Sequence, residues 1–467
     1  MPNQDPTTKP PAAALSNRVI FLFWVPLAAQ WLMMASEGPF LAAIIARAGD
    51  PAFNLAAYGV AYAFAFLVES PVIMLMSAAT ALVEDAASYR KLRNFAHVLN
   101  AGSTALLLLV LVPPVNAFMM GTLLGLPPEV TDLVYGALWL LLPWPAAIGY
   151  RRFLHGVLIR SGRTRLVAVG TVLRMLGMGA AALVLFVATE LPGAWVGTAA
   201  LSAGVVTEAL VAHLMARGAV RELHDREAAD AAAGTVALQG GAAAQSASSA
   251  PDTPSYRDIG RFYLPLALTS FLGLTVHPLI TFFMGRSPDP VESLAVFPVV
   301  GGLVFLFRSF GFSYQEVVIA LSGRRFENVA ALARFGVGIG LASSGALALV
   351  AFTPLAGFWF ESLSGLTPEL AALAYVPARV AAVLPAVAVL LAFQHAVIVR
   401  GRKTRPITVA TALEVTTIAL LFGTLGWGVG LTGATAAMAA LVGGRLAGNL
   451  FLAGKVRKTL RRVAAAG

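Results

Sequence analysis

From Val19 to Ala453 the chain alternates long apolar runs with short polar loops. Each run holds about twenty residues or more, enough to cross a ~30 Å hydrocarbon core as a helix. A backbone in hydrocarbon must satisfy its own hydrogen bonds, which leaves helices or a closed barrel. Barrel strands would alternate apolar and polar residues, and these runs do not. The pattern predicts twelve helices, at roughly 18–47, 53–83, 95–122, 129–159, 165–188 and 194–217, then 258–285, 292–321, 327–359, 368–399, 406–427 and 431–454. Several exceed the length needed and are expected to tilt, kink or project beyond the lipid.

Composition agrees. The chain is 58% hydrophobic and 12% charged, with a mean hydropathy of +0.78, against ~25% charged in a soluble domain. With no cysteine, disulfides and thiolate metal sites are excluded. A net charge of +10 would fit a nucleic-acid partner, but these cations fill short loops. Arg90, Lys91 and Arg93, then Arg160, Arg163 and Arg165, then Arg324 and Arg325, then Arg400, Arg402, Lys403 and Arg405 lie in one set of loops, while the other set holds only Arg47 and Arg286. The positive-inside rule then places both termini and the central linker in the cytoplasm, and no nucleic-acid partner is expected. Residues 1–17 read as an uncleaved, flexible cytosolic tail, and 218–256, rich in Ala, Gly, Ser and Gln, as a flexible linker. The lobes are thus 18–217 and 257–460.

The two lobes repeat each other at an offset of 239 or 240 residues, as in Arg47 to Arg286 and Arg160 to Arg400. Pro26 matches Pro265, Pro39 matches Pro278, and Pro145 matches Pro385. Phe153, His155, Val157, Arg160, Thr164 and Arg165 match Phe393, His395, Val397, Arg400, Thr404 and Arg405. An even number of spans per half makes the repeat parallel, a common transporter architecture with the solute site between the halves near midplane.

Charges inside apolar runs are costly and face a partner or a wet cavity. Three pairs of the two lobes exchange sign: Glu69 with Arg308, Arg174 with Glu414, and, at a slightly shorter offset of 237, Glu208 with Arg445. Arg174 lies nine residues beyond Arg165 and Glu208 nine before Arg217, so both sit roughly 13 Å inside the helix end at 1.5 Å per residue. Joint reversal of both signs in the second half predicts an ion pair in each lobe, Arg174–Glu208 and Glu414–Arg445, since an unpaired charge there costs several kcal/mol. These pairs read first as structural bridges.

Glu69 and Arg308 lie mid-span. They bridge the halves as a gate, or form a structural bridge, or Arg308 holds an anionic solute, for which guanidinium is well suited. Pro71 is expected to kink its span. Ser309, Ser313, Gln315 and Glu316 make the eighth span polar, which suggests a wet lining. Arg308, Arg379 and His277 together are a candidate basic surface for a polyanion. Glu37, His155 and His395 are candidates for a coupling or a structural role, His155 and His395 first the latter because the repeat duplicates them.

This layout resembles the multidrug and toxin extrusion (MATE) and polysaccharide-flippase superfamily, and the block Phe153–Arg165 with its repeat is similar to that superfamily's recurring motif on helices four and ten. Phe262–Arg286 (FYLPLALTSFLGLTVHPLITFFMGR) and Leu294–Leu321, containing FRSFGFSYQEVVIAL, resemble the progressive ankylosis branch. The superfamily resemblance implies two lobes in a V with alternating access, and the branch resemblance implies export of polyanions such as pyrophosphate, nucleotide or citrate. Multidrug members often carry a coupling acid in the first helix. Glu37 is the only acid in that span here, and it lies near the outer end. Coupling to H⁺ or Na⁺ is therefore open. Where major-facilitator chains carry Gly-x-x-x-Asp-Arg, this one reads EDAASYRKLR.

The expectation is an all-α integral membrane protein of the MATE-like two-lobed class, monomeric, with no cofactor and no metal. It exports a small organic or phosphate-containing polyanion from a bacterial cell whose inner membrane it spans. A cation-coupled multidrug exporter and a lipid-linked saccharide flippase are the alternatives. A membrane-embedded enzyme is the remote one, since HExxH, Gly-x-Ser-x-Gly and P-loop motifs are absent from the sequence.

Overall fold

A computed structural model describes residues 15–239, 254–323, 325–401 and 405–465, with side chains given to 232 and to 462 in the two longest helices. The tail to residue 14, the segment 240–253, and Arg324, Arg402, Lys403 and Thr404 lie outside the described residues. Twelve helices among the described residues are long and apolar enough to cross a membrane. We number them α1 (Asn17–Arg47), α2 (Pro51–Glu69), α3 (Ala86–Leu111), α4 (Pro128–Arg160), α5 (Thr164–Ala188), α6 (Gly193–Ala232), α7 (Tyr256–Met284), α8 (Pro290–Leu321), α9 (Val329–Phe352), α10 (Pro368–Arg400), α11 (Arg405–Gly428) and α12 (Gly433–Arg462). Twelve spans return the chain to its starting side. Both termini therefore lie on one face, here the termini face, and Arg47 and Arg286 lie on the far face.

Prolines set the breaks. Proline lacks an N–H and frees the carbonyl four residues back. Pro39 follows the break at Ser36 in α1, and Pro278 follows the matching break at Thr275 in α7. Pro71 ends α2 at Glu69, and the chain resumes as a separate helix, Leu75–Leu82. The repeat position in α8 is Phe310, and α8 runs unbroken to Leu321. The kink expected at Pro71 is thus a full interruption, found in one half only.

Two sequence boundaries change. Helix α3 begins at Ala86 rather than near 95, capped by Asp85. Helix α6 continues to Gln239, so the first part of the expected linker is helical. The sequence there is rich in Ala, Arg and Glu, which favour helix. It is tied down by ion pairs Arg90–Glu227 at 2.6 Å and Arg163–Glu222.

Packing follows the small residues. Leu55, Ala56, Ala57, Val60 and Ala61 bury one side of α2, and Gly59 lets α2 approach Leu294 and Pro298 of α8 across the lobe boundary. The first half of α1 leaves its own lobe. Ile20 packs with Tyr314, Val317 and Leu332, and Trp24 Nε1 donates to Ser313 Oγ at 2.9 Å. In the other direction, Tyr263 of α7 donates to the Pro71 carbonyl. The lobes therefore exchange the termini-face halves of their first helices. Outward residues such as Leu176, Val187, Leu341 and Leu450 are exposed, as a lipid-facing surface requires.

Candidate functional site

The first lobe holds a chain of alternating charges. Glu208 of α6 is fully buried. Its Oε2 accepts from Arg151 Nη1 of α4 at 2.5 Å and lies 3.9 Å from Arg174 Nε of α5. Arg174 in turn donates to Glu37, which starts the second half of α1. His155, one turn after Arg151, places Nε2 3.8 Å from Glu208 Oε1. The order Glu37–Arg174–Glu208–Arg151 carries two charges of each sign, so the group is neutral as a whole. A buried ion is tolerated when paired and hydrogen-bonded in this way.

The second lobe has a simpler arrangement. Arg445 of α12 places Nε 3.0 Å from Glu414 Oε1 and donates from Nη1 to Oε2 at 3.1 Å. Only the Nη1 contact is a hydrogen bond, since Arg445 Nε is buried without a hydrogen-bond partner, so the pair is a close ion pair held by one charge-assisted bond. In the first lobe the sequence predicts Arg174 and Glu208 as partners of each other alone. The structure gives each of them a nearer partner, because Arg151 reaches Glu208 and Glu37 reaches Arg174. His395 is half-buried and, unlike His155, has no carboxylate within 4.0 Å among the described residues.

Glu69 and Arg308 do not bridge the lobes. Glu69 is buried at the end of α2, and its Oε2 accepts from Trp144 Nε1 of α4 at 2.8 Å. Among the described residues no cation lies within 4.0 Å of it. Arg308 is half-buried on the face of α8 that carries Phe305 and Phe312. Its guanidinium sits 5.7 Å from the Phe312 ring centroid, and Phe312 stacks on Trp31 of α1. No carboxylate lies within 4.0 Å of Arg308 among the described residues, and its Nε is buried without a hydrogen-bond partner. The repeat pair of opposite sign thus leaves one unpaired acid in the first lobe and one unpaired base in the second.

Of the other expected members, His277 is exposed and stacks on Phe66 of α2, 5.1 Å between centroids, so it spans the lobe boundary. Glu316 is exposed near the end of α8. Arg379 stands apart from the expected basic surface. It is exposed, donates from Nε to Ala351 O at 3.2 Å, and lies over Phe352 at the far-face end of α9. A long guanidinium stem at that depth reaches for the nearest carbonyl and ring, which are in its own lobe.

Sequence reasoning missed Arg151, Arg152 and Trp144. Arg152 is half-buried, with no carboxylate within 4.0 Å among the described residues. The signal was present. Two adjacent arginines interrupt the apolar run of α4, where the repeat holds Leu391 and Ala392.

On the far face the lobes are joined twice. Arg47 donates from Nη2 to the carbonyls of Ser362 and Leu363, at 2.6 and 3.0 Å. Arg286 donates from Nη2 to Thr122 O at 2.7 Å and from Nη1 to Leu123 O.

No protein-family model and no curated protein sequence matches the chain. Solved structures do. The lipid II flippase MurJ in an inward closed conformation superposes with a TM-score of 0.69 at 12% identity, covering 95% of this chain and 90% of that one. The MATE multidrug transporter DinF-BH gives 0.63 at 11% identity, covering 97% and 98%. An inward-facing multidrug resistance MATE transporter of the MOP superfamily gives 0.62 at 13% identity, covering 95% and 99%. The chain has the two-lobed, twelve-helix fold of these MATE and MOP superfamily proteins over nearly its whole length.

Proposed function

We propose that the protein is a secondary active transporter that exports a small organic or phosphate-bearing polyanion by alternating access, with its termini face in the cytoplasm. The observation that carries this reading is Arg308. A guanidinium without a carboxylate, half-buried mid-span in the second lobe, is an anion-binding group awaiting its anion. His277 adds a second nitrogen group at the lobe boundary. The resemblance of Phe262–Arg286 and Leu294–Leu321 to the progressive ankylosis branch supports the same substrate class. Arginine-rich loops on the termini face support a cytoplasmic location in a bacterial inner membrane.

Glu69 is the candidate coupling residue. A carboxylate with no cation within reach, at this depth, is completed by a proton or Na⁺. The same residue supports a second reading, a cation-coupled multidrug exporter of the kind named among the structural neighbours. Flux in proteoliposomes separates the two. Labelled citrate, pyrophosphate or ATP is loaded, with and without a pH or Na⁺ gradient, for the wild type, Arg308→Ala and Glu69→Gln. Saturable anion flux that falls at least tenfold in Arg308→Ala, and loses its gradient dependence in Glu69→Gln, is the expected result. Movement of a cationic dye without anion flux, abolished in Glu69→Gln but kept in Arg308→Ala, would overturn the polyanion reading.

A further inference from the structure

A second basic site lies away from the lobe boundary. At the termini face of the first lobe, α3, α4 and α6 enclose a cavity of about 630 Å³ lined by Arg93, Arg217, Arg221, His213, His224 and Tyr150, among others. Arg93, Arg217 and Arg221 have no carboxylate within 4.0 Å among the described residues, whereas nearby Arg90 and Arg163 are paired with Glu227 and Glu222. Three of the six histidines of the chain, His97, His213 and His224, converge there. Tyr150 organises the floor. Its hydroxyl lies 2.6 Å from His213 Nδ1, and its ring is stacked with both His97 and His213, at 6.1 Å each. Such a site offers several cationic and hydroxyl donors to one anion.

The cavity does not end there. His97 and Tyr150 also line a second cavity of about 730 Å³, which continues between α3 and α4 deeper into the span and is otherwise bounded by groups such as Ala101, Thr104, Ala105 and Leu108. Leu108, which lines it, is an exposed apolar side chain, as are Val98, Leu106 and Leu109 on the same helix. At its wall, Asn100 is buried with an Oδ1 lacking a hydrogen-bond partner. Asn100 lies seven residues beyond Arg93, roughly 10 Å deeper along the helix. A basic mouth leading into an apolar groove open to the bilayer matches a molecule with an anionic head and a hydrocarbon tail.

The internal repeat argues that this is not a requirement of the fold. At the positions equivalent to Arg93, His97, Tyr150 and His213 the second lobe carries Ala333, Val337, Leu390 and Ala453, while Arg217 and Arg221 have counterparts in Arg457 and Arg461. Val337 and Leu390 are exposed apolar side chains, an ordinary lipid-facing surface. The first lobe adds Arg93, His97, Tyr150 and His213 to an arginine pair that both lobes share, and there the cations face a polar pocket.

We propose that the pocket of α3, α4 and α6 is a binding site for an anionic phospholipid of the leaflet on the termini face, with its phosphate among Arg93, Arg217, Arg221 and His213 and an acyl chain in the groove beyond Tyr150. The site is separate from the Arg308 region and independent of which solute is moved. The test uses the full chain, delipidated in mild detergent. Native mass spectrometry and thermal unfolding are followed against cardiolipin, phosphatidylglycerol, phosphatidylcholine and inorganic phosphate. The wild type should bind the anionic lipids saturably and at least tenfold more tightly than phosphatidylcholine. Arg217→Gln/Arg221→Gln should lose tenfold or more of that affinity, and His213→Ala, which copies the second lobe, should lose severalfold. Arg457→Ala, on the termini face of the second lobe, should bind as the wild type does. Equal weakening by Arg457→Ala would show diffuse surface charge and overturn the site. Saturation by millimolar inorganic phosphate that blocks the lipid effect would assign the pocket to a soluble anion and overturn the lipid proposal.

Discussion

Arg47 and Arg286 occupy equivalent positions in the two halves, and each binds the last carbonyls of a π-helical turn in the opposite lobe. The acceptors are equivalent too, since Thr122 and Leu123 end the turn Phe118–Leu123 and Ser362 and Leu363 end Phe358–Leu363. A π turn at a helix end leaves carbonyls without intrahelical partners, and a guanidinium from the other lobe supplies the donors. The two contacts form a symmetric latch over the far face. Being exposed, each contributes about 1 kcal/mol. Loss of both in Arg47→Gln/Arg286→Gln should therefore shift the balance between closed and open far faces by roughly 10- to 30-fold. The chain has no cysteine, so a single thiol at Gly59→Cys, on the α2–α8 contact, reports this directly. Its modification by a membrane-impermeant reagent should accelerate at least fivefold in the double variant. An unchanged rate would show that the latch does not hold the lobes together.

Gly156 makes a different kind of close approach. A Cβ there would lie 2.5 Å from both Ala79 Cβ and the Met76 carbonyl. The separate helix Leu75–Leu82 presses against α4 at this point, where the unbroken α8 leaves room for Ala396 in the repeat position. Overpacking a tight helix contact costs about 1–3 kcal/mol. Gly156→Ala should lower the unfolding temperature in detergent clearly, and Gly156→Leu should lower it further. A neutral Gly156→Ala would mean that the backbone of the helix Leu75–Leu82 yields at this site.

The membrane class, the twelve spans and the parallel repeat were legible because apolar length and repeated Pro, His and Arg are properties of local sequence. Partner choice was less so. Charge reversal identified Glu414 and Arg445, which form an ion pair with each other alone among the described residues. It named only part of the first-lobe group, because Arg151 lies on a helix whose repeat copy has Leu391 there and so gave no reversal to detect. Arg379 and Arg308 looked alike in sequence, as cations mid-span. Their surroundings come from other helices, which give Arg379 the Ala351 carbonyl of α9 and leave Arg308 beside Phe312 without a carboxylate within 4.0 Å among the described residues. The helical start of the linker was masked by its polar composition, which suits a solvated helix as well as a coil.

Asp85 ties the loop before α3 to the helix. The Ser88 N–H donates to its Oδ1 at 2.6 Å, and Ser88 Oγ accepts from the Asp85 N–H at 3.0 Å. Partial burial pushes the carboxyl up, but the hydrogen bonds from Ser88 and the Ala87 N–H outweigh it and hold Asp85 below its usual value. A depressed folded value means that the contribution is fully present above the unfolded pKa and is lost as pH falls through the lowered one. Asp85→Ala should cost about 1 kcal/mol at neutral pH, with hydrogen exchange rising in residues 86–92. In the wild type the same exchange should rise only in acid, and Asp85→Asn should show no such pH dependence. Acid-induced fraying that persists in Asp85→Asn would assign the effect to another group.

Glu208 is the most exacting residue in the first lobe, since it is fully buried between Arg151 and Arg174. Removing one member of a buried ion pair strands its partner and typically costs about 3–5 kcal/mol, whereas replacing both members by apolar groups is often close to neutral. Glu208→Gln and Arg151→Leu should each destabilise the protein strongly. Arg151→Leu/Glu208→Gln should lie nearer the wild type than the sum of the two, because Arg174 keeps Glu37 and the second lobe already tolerates Leu391 at the Arg151 position. Glu414→Gln should cost less than Glu208→Gln, since Arg445 is a quarter exposed, at 25%, and can be reached by water. Thermal unfolding of the four variants in one detergent measures these differences. Additivity of the first-lobe pair to within about 0.5 kcal/mol would show that the two residues do not act as a unit. The charge chain would then be a set of separate contacts, each answering to its own helix pair.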